Sequence, residues 1–275
     1  MLIGSATSTD LYQQYQLNQK KQASLQEKLA TGNQINHASD NPANLAVYAA
    51  ADQYVNSYLT ASQNTSDGSS AVQIADGATS VVTNILQQQN DLANQASNGL
   101  LNSDQRDALN QEYQSLSQEI DQISNSTNYN GLPLLNGQGP LADGTGKVQS
   151  GAAAGQTEAL PGGNLTVSAL GLSGTSIDSA QGAESALSAV SQAMHTVSTT
   201  QAGQGAAENR LNFSQQNDQS LVANGTQSMS SIMDTDYAQA VTNQVTSQIL
   251  SNVQTAAIGQ LDNLTSANML ALIGG

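Results

Sequence analysis

The sequence predicts a mainly α-helical fold: a long antiparallel helical bundle or coiled coil built from the N- and C-terminal segments, with a small β-hairpin region in the middle. Three observations lead to it. From Val47 to Ala96 a 3-4 spaced register runs Val47, Ala51, Tyr54, Tyr58, Ala61, Thr65, Gly68, Val72, Ala75, Thr79, Val82, Leu86, Gln89, Ala93, Ala96, and eleven of its fifteen positions are apolar or aromatic. That is a narrow seam suited to partner helices. A second register lies far downstream at Ala183, Leu187, Val190, Met194, Val197, Leu211, Val222, Met229 and Ile232. Between them, residues 131 to 174 hold eleven of the 23 glycines and three of the four prolines, the residues that interrupt helices and build turns. Such a chain folds back so that its first and last thirds bundle together.

The elements follow in order. Residues 11 to 30 read as a helix with Leu11, Tyr15, Leu25 and Leu29 on one seam and polar Asn18 and Gln22 at the intervening seam positions. Polar seam residues weaken an isolated coiled coil and fix its register. Gly32 and Asn33 supply a stop. In Ser39-Asp40-Asn41-Pro42, Asp40 or Asn41 can accept the orphan N–H groups of the next helix, and Pro42 suits its first position. Within that long helix Gly68 and Gly77 are weak points. Gly99 closes it and Ser103-Asp104 opens the next, where Leu109, Tyr113, Leu116, Ile120 and Ile123 keep strict 4-3 spacing. Tyr129-Asn130-Gly131 ends that helix with turn chemistry. In the middle, Asn164 to Leu170 alternates as a short strand would. The last helix, 238 to 264, carries Val241, Val245, Ile249, Val253, Ala257, Leu261 and Leu264 after the capping run Asp234-Thr235-Asp236. The tail Met269 to Ile273 is apolar, which suits burial in an assembly, on a chaperone or against the first helix.

Composition narrows the function. Aromatic residues are 3% of the chain and charged residues 10%, against a usual quarter charged. Each helix therefore offers little bulky apolar surface, and further copies of the chain could supply the missing contacts. The net charge of −15, with Lys20, Lys21, Lys28, Arg106, Lys147 and Arg210 as the only fixed cations, argues against nucleic acid, which needs a basic patch. No stretch is apolar enough to enter a membrane, no cleavable leader is visible, and there is no cysteine. His37 and His195 lie 158 residues apart on different predicted segments, without a His-Glu-x-x-His run or a phosphate-cradling Gly-rich loop. Catalytic, cofactor and metal sites are accordingly not expected. Helix capping is the better reading of Asp234 and Asp236 than calcium binding.

Several segments resemble bacterial flagellins. Leu29 to Ala46, with Ile35, Asn36 and Asp40, is similar to the N-terminal signature of that family, with Gln34 where Arg is usual. Asn64 to Gly68, Ala75 to Ala78 and Tyr129 to Leu135 resemble later family motifs. Gly205-Ala-Ala-Glu-Asn209-Arg210-Leu211, Asp234-Thr-Asp236-Tyr237-Ala238 and Gln248 to Leu250 resemble its C-terminal blocks. The matches cover most of 25 to 135 and 180 to 273, in order and at both ends.

The resemblance implies a structural subunit that self-assembles into the bacterial flagellar filament for swimming motility; the alternative is a hook–filament junction protein. It implies a terminal coiled-coil domain (1–40 and 233–275) lining the filament channel, a helical outer-tube domain (41–135 and 176–232), and a short Gly-rich variable region (136–175). On this reading Leu11, Tyr15, Leu25, Val241, Val245, Ile249 and Val253 pack the inner tube, and Val72, Val82, Leu86, Leu116 and Ile120 the outer tube. The implied partners are other copies of the chain, the flagellar cap and hook–filament junction proteins, and an export chaperone at the C-terminal segment. The implied location is the extracellular flagellum, reached through the flagellar type III apparatus. Asn90 and Asp91 stand where the family's receptor-binding surface has Arg and Glu, so weak or absent recognition by the vertebrate flagellin receptor is expected. Ala240 replaces a usual Glu.

Overall fold

The structure, a computed structural model, describes residues 2–139, 141 and 146–273, without the side chains of 2–8, 265 and 268–273. The apolar tail expected at 269–273 therefore lies outside the described side chains. The elements are helices α1 (Leu2–Thr31), α2 (Pro42–Ala96) and α3 (Ser103–Ser126), strands β1 (Asn128–Tyr129), β2 (Leu132–Pro133), β3 (Lys147–Gln149) and β4 (Thr157–Ala159), and helices α4 (Ala180–Met233) and α5 (Tyr237–Ile273). Each strand pair is a separate two-stranded antiparallel ladder. The chain divides into two compact units, Met1–Gln53 with Gly225–Gly275, and Tyr54–Asn224. The division falls inside α2 and α4, whereas the sequence-based limits at 40/41 and 232/233 fall in the turn before α2 and at the last residue of α4.

Local chemistry sets the helix ends. Gly32 terminates α1 at φ +75°, and its N–H donates to the Lys28 carbonyl, the left-handed stop that glycine permits. At α2 it is Asn41 that caps, accepting the Asn44 N–H at 3.1 Å; Asp40 does other work, described below. The cap of α3 is Asn102, one residue ahead of the expected Ser103-Asp104. Its side chain accepts the Gln105 N–H at 2.9 Å while Gln105 Oε1 accepts the Asn102 N–H at 3.1 Å, a reciprocal capping box. Asp236 caps α5 by accepting the Gln239 N–H at 3.0 Å.

The second unit holds the apolar core. From Tyr58 to Ala96 every position of the predicted α2 register is buried, whereas Val47 and Tyr54 remain 54% and 45% exposed. Tyr113 and Ile120 of α3 and Ala183, Val190, Val197, Ala207 and Leu211 of α4 join α2 in one cluster. Polar contacts fix the directions. Gln73 donates to Glu208 at 2.9 Å and Gln201 to Ser80 at 3.0 Å, so α2 and α4 run antiparallel. Gln89 donates to Ser117 at 2.8 Å, bridging α2 to α3.

The connection after α3 is a tight hairpin. Asn130 (φ +50°) and Gly131 (φ +78°) form its two-residue turn between β1 and β2, the doubly positive geometry that matches strand twist. The strand expected at 164–170 does not form. Asn164 makes an isolated bridge to Asn136, and 167–171 is a turn. This segment instead runs back along α3, tied by its backbone. Ser124 donates to the Leu165 carbonyl at 2.8 Å, Asp121 accepts the Val167 N–H at 2.8 Å, and Asn110 accepts the Ile177 N–H at 3.0 Å. With α3 side chains satisfying its backbone and Leu165, Leu170 and Leu172 buried, it needs no strand partner.

Candidate assembly surface

Within the first unit, α1 and α5 pair side by side. Tyr12 donates to Asp262 at 3.2 Å, Asn18 to the Ser247 carbonyl at 2.9 Å, and Tyr237 to the Leu29 carbonyl at 3.3 Å. Ascending numbers in α1 meet descending numbers in α5, so the pair is antiparallel. The contact is polar. Asn18, Gln22, Ser247, Ser251 and Gln254 are all buried, and Ala240 joins them at 6% exposure. Asn18 donates to Ser247 and, at 3.4 Å, to Gln254, and accepts the Ser247 hydroxyl. Gln19 donates to Ser251 at 3.2 Å. On α5 the buried positions 240, 247, 251 and 254 repeat in heptad phase, so the face turned to α1 carries small and amide side chains.

The residues assigned to the inner tube therefore fall on two surfaces. Leu11, Tyr15 and Leu25 are half-buried on the same 4-3 register as Asn18 and Gln22, inside the α1–α5 pair. Val241, Val245, Ile249 and Val253 lie outside it, 47%, 53%, 58% and 59% exposed, with Leu250 and Leu264 also exposed. A stripe of branched apolar residues turned to water beside a buried polar seam inverts the usual order of a two-helix pair.

The residues assigned to the outer tube all lie in the core of the second unit. Val82, Leu86 and Ile120 are 0% exposed and Val72 1%, with Leu116 packed against the same core. Periodicity identified them as a contact face without distinguishing an internal partner from an external one.

The motif residues converge at the joint where α1 turns into α2 and α4 into α5. Asn33 and Asp234 form an antiparallel bridge, the Gln34 N–H donates to the Met233 carbonyl, and the Thr235 N–H donates to the Gly32 carbonyl at 2.8 Å. Ile35 is buried beside them and Asn36 donates to the Asn33 carbonyl at 3.1 Å. Asp40 accepts the N–H groups of His37 and Asn36 at 2.9 and 3.0 Å. These two bonds, that of His37 first, hold its carboxyl below the usual carboxylate range. His37 pairs with Glu27 at 2.9 Å, and Ser230 donates to Asp234. The Tyr237 hydroxyl rests against Gly32, where an added Cβ would sit 3.4 Å away. Asn209 and Arg210 lie elsewhere, exposed on α4 in the second unit, where Arg210 approaches Glu158 at 3.7 Å.

His195 is exposed on α4, and among the described residues no three His, Cys, Asp or Glu side chains gather as metal ligands. No described helix is long and apolar enough to cross a membrane.

Known proteins are similar to this chain. The profile of the bacterial flagellin N-terminal helical region matches residues 5–139. The flagellin of Halalkalibacterium halodurans is 32% identical over 253 residues, 91% of each chain. A 31.3 kDa flagellar filament core protein of Treponema maltophilum is 28% identical over 264 residues, 92% of each. The crystal structure of Bacillus cereus flagellin superposes on 57% of this chain and 88% of its own, at 30% identity and a TM-score of 0.50.

Proposed function

The chain belongs to the bacterial flagellin family and is a structural subunit of the flagellar filament, and from that premise we propose that its copies pack through the apolar stripe of α5. The observation that supports this is the inversion in the terminal pair. Asn18, Ser247 and Gln254 are used up within the chain, while Val241, Val245, Ile249 and Val253 have about half their surface in water. At roughly 25 cal/mol per Å² of apolar surface covered, a stripe repeated in every subunit adds up along a filament. Leu11, Tyr15 and Leu25 contribute by shaping the α1–α5 pair that presents it.

Seeded polymerisation tests the proposal. Purified chain should give long tubes of helical symmetry in electron micrographs. Val245→Asn with Ile249→Asn should keep the helix content of the monomer and fail to polymerise. A double variant that polymerises like the original would remove the stripe from the assembly surface. Refusal of the unaltered chain to polymerise would favour the hook–filament junction reading.

The same proposal extends to the surroundings. The division into inner-tube, outer-tube and variable regions, export through the flagellar type III apparatus, a chaperone on the C-terminal segment, and cap and junction proteins as neighbours belong to the same reading, which family membership supports. Receptor recognition should be weak because Asn90 and Asp91 replace a basic and a longer acidic residue. A reporter-cell assay in which Asn90→Arg with Asp91→Glu restores signalling supports this, and strong signalling by the unaltered chain refutes it.

A further inference from the structure

We propose that the open cleft between α2, α4 and the β3–β4 hairpin binds a hard, oxygen-ligated cation. Its floor is Asp218 of α4, 1% exposed, whose Oδ2 has no hydrogen-bond partner. Taking an unpaired carboxylate out of water costs several kcal/mol, and burial pushes this carboxyl up from the usual range. A carboxylate so placed is neutralised either by a proton or by a cation, and the surroundings favour the cation.

The cleft is 270 Å³ and is lined, besides Asp218, by Tyr58, Gln156, Thr157, Glu158 and Asn217, with Ser150, Gly151 and Gly155 of the hairpin along one side. These side chains offer hydroxyl, amide and carboxylate oxygens, and no lysine, arginine or histidine lines the space. A donor set of oxygens without sulfur or imidazole selects a hard cation. The influence of Asp218 extends to Tyr58, whose hydroxyl is pushed up by the hydrogen bond of Tyr54, by burial and by the charges of Tyr54 and Asp218. Glu158 brings a second carboxylate. Arg210, 3.7 Å from Glu158 and half exposed, offsets only part of the combined negative charge.

A proton would neutralise one oxygen of Asp218 and leave Glu158 facing the same cleft. A divalent cation offsets both. At about 30 Å³ per water the space admits a cation that keeps several of its own waters. Two carboxylates with neutral oxygens and water form a modest site, and the expected affinity is that of extracellular calcium modules, about 10⁻⁴–10⁻³ M. A net charge of −15 enriches such ions near the surface. Bound there, the ion ties the hairpin to α4.

Terbium is the first probe, since Tyr58 lines the site and the chain has no Trp. Full-length soluble chain titrated with Tb³⁺ should show tyrosine-sensitised emission that Ca²⁺ displaces at millimolar concentration. Asp218→Asn should abolish the Ca²⁺-displaceable part while retaining its circular dichroism. Ca²⁺ should also raise the thermal midpoint of the original chain relative to EDTA, and leave that of Asp218→Asn unchanged. Should Asp218→Asn not fold, Glu158→Gln carries the same test, with Ca²⁺ affinity falling about tenfold. Emission and midpoint that are indifferent to Ca²⁺, or that respond equally in the variants, would show Asp218 to be held by a proton and overturn the site.

Discussion

At Gly68 an added methyl group would sit 2.8 Å from Val148 Cγ2 and 3.4 Å from Leu160 Cδ2, whereas at Gly77 it would meet nothing within 4 Å. Two glycines in one helix thus have opposite meanings. Gly77→Ala should stabilise the chain by roughly 0.5–1 kcal/mol, the ordinary gain for an exposed helix position. Gly68→Ala should destabilise it, since overpacking costs about 1–3 kcal/mol and outweighs that gain; thermal unfolding of the two variants checks both signs. The sequence marks Gly68 and Gly77 alike as weak points, because propensity is local and the hairpin that packs on Gly68 is 80 residues away. Asp40 makes a second residue-scale case. Its carboxyl is lowered by accepting two N–H bonds, so its contribution is fully present above the usual aspartate value of about 3.9 and fades as pH falls through the depressed value. Protection of the Asn36 and His37 amides, measured against the intrinsic exchange rate at each pH, should therefore fall as the pH drops through that depressed value, and in Asp40→Ala should already be low at neutral pH.

Among the elements, the α1–α5 pair is held by hydrogen bonds where an apolar seam would be usual. Asn18→Ala leaves Ser247 and Gln254 buried without their partner and should cost about 1–3 kcal/mol. Replacing Asn18, Ser247 and Gln254 together by Leu, Ala and Leu should restore or raise stability, because satisfied apolar packing replaces the network. The same triple variant should lose a unique register, seen as heterogeneous crosslinking between α1 and α5. The spacing of Leu11, Tyr15, Asn18, Gln22 and Leu25 made this seam legible, and it made the α2 register legible from Tyr58 to Ala96. It could not say which side of α5 meets α1. Branched residues four apart at Val241, Val245, Ile249 and Val253 read as a contact face, and only the paired helix shows that they are turned away from it. Asn164 to Leu170 misled for a related reason: alternation describes which residues are buried, and a turn bonded to α3 side chains buries the same leucines.

For the whole molecule, the two compact units differ in what they bury. The second encloses Val82, Leu86, Ile120, Val190, Val197 and Leu211 at 0% exposure, while the first buries mainly amides and hydroxyls against α1 and α5. Hydrogen exchange on the monomer should accordingly show α1 and α5 opening well before the Tyr58–Ala96 part of α2, and equal protection in both would contradict this. Polymerisation should then protect α5 most, if its stripe is where copies meet. One further property resides in the seam of Asn18, Gln19, Ser247, Ser251 and Gln254. It contains no ion pair, so mobile electrolyte, which weakens charged contacts over a distance of about 10 Å at 0.1 M, has nothing there to screen. In a swimmer moving between fresh water and brine, this seam would keep the same grip.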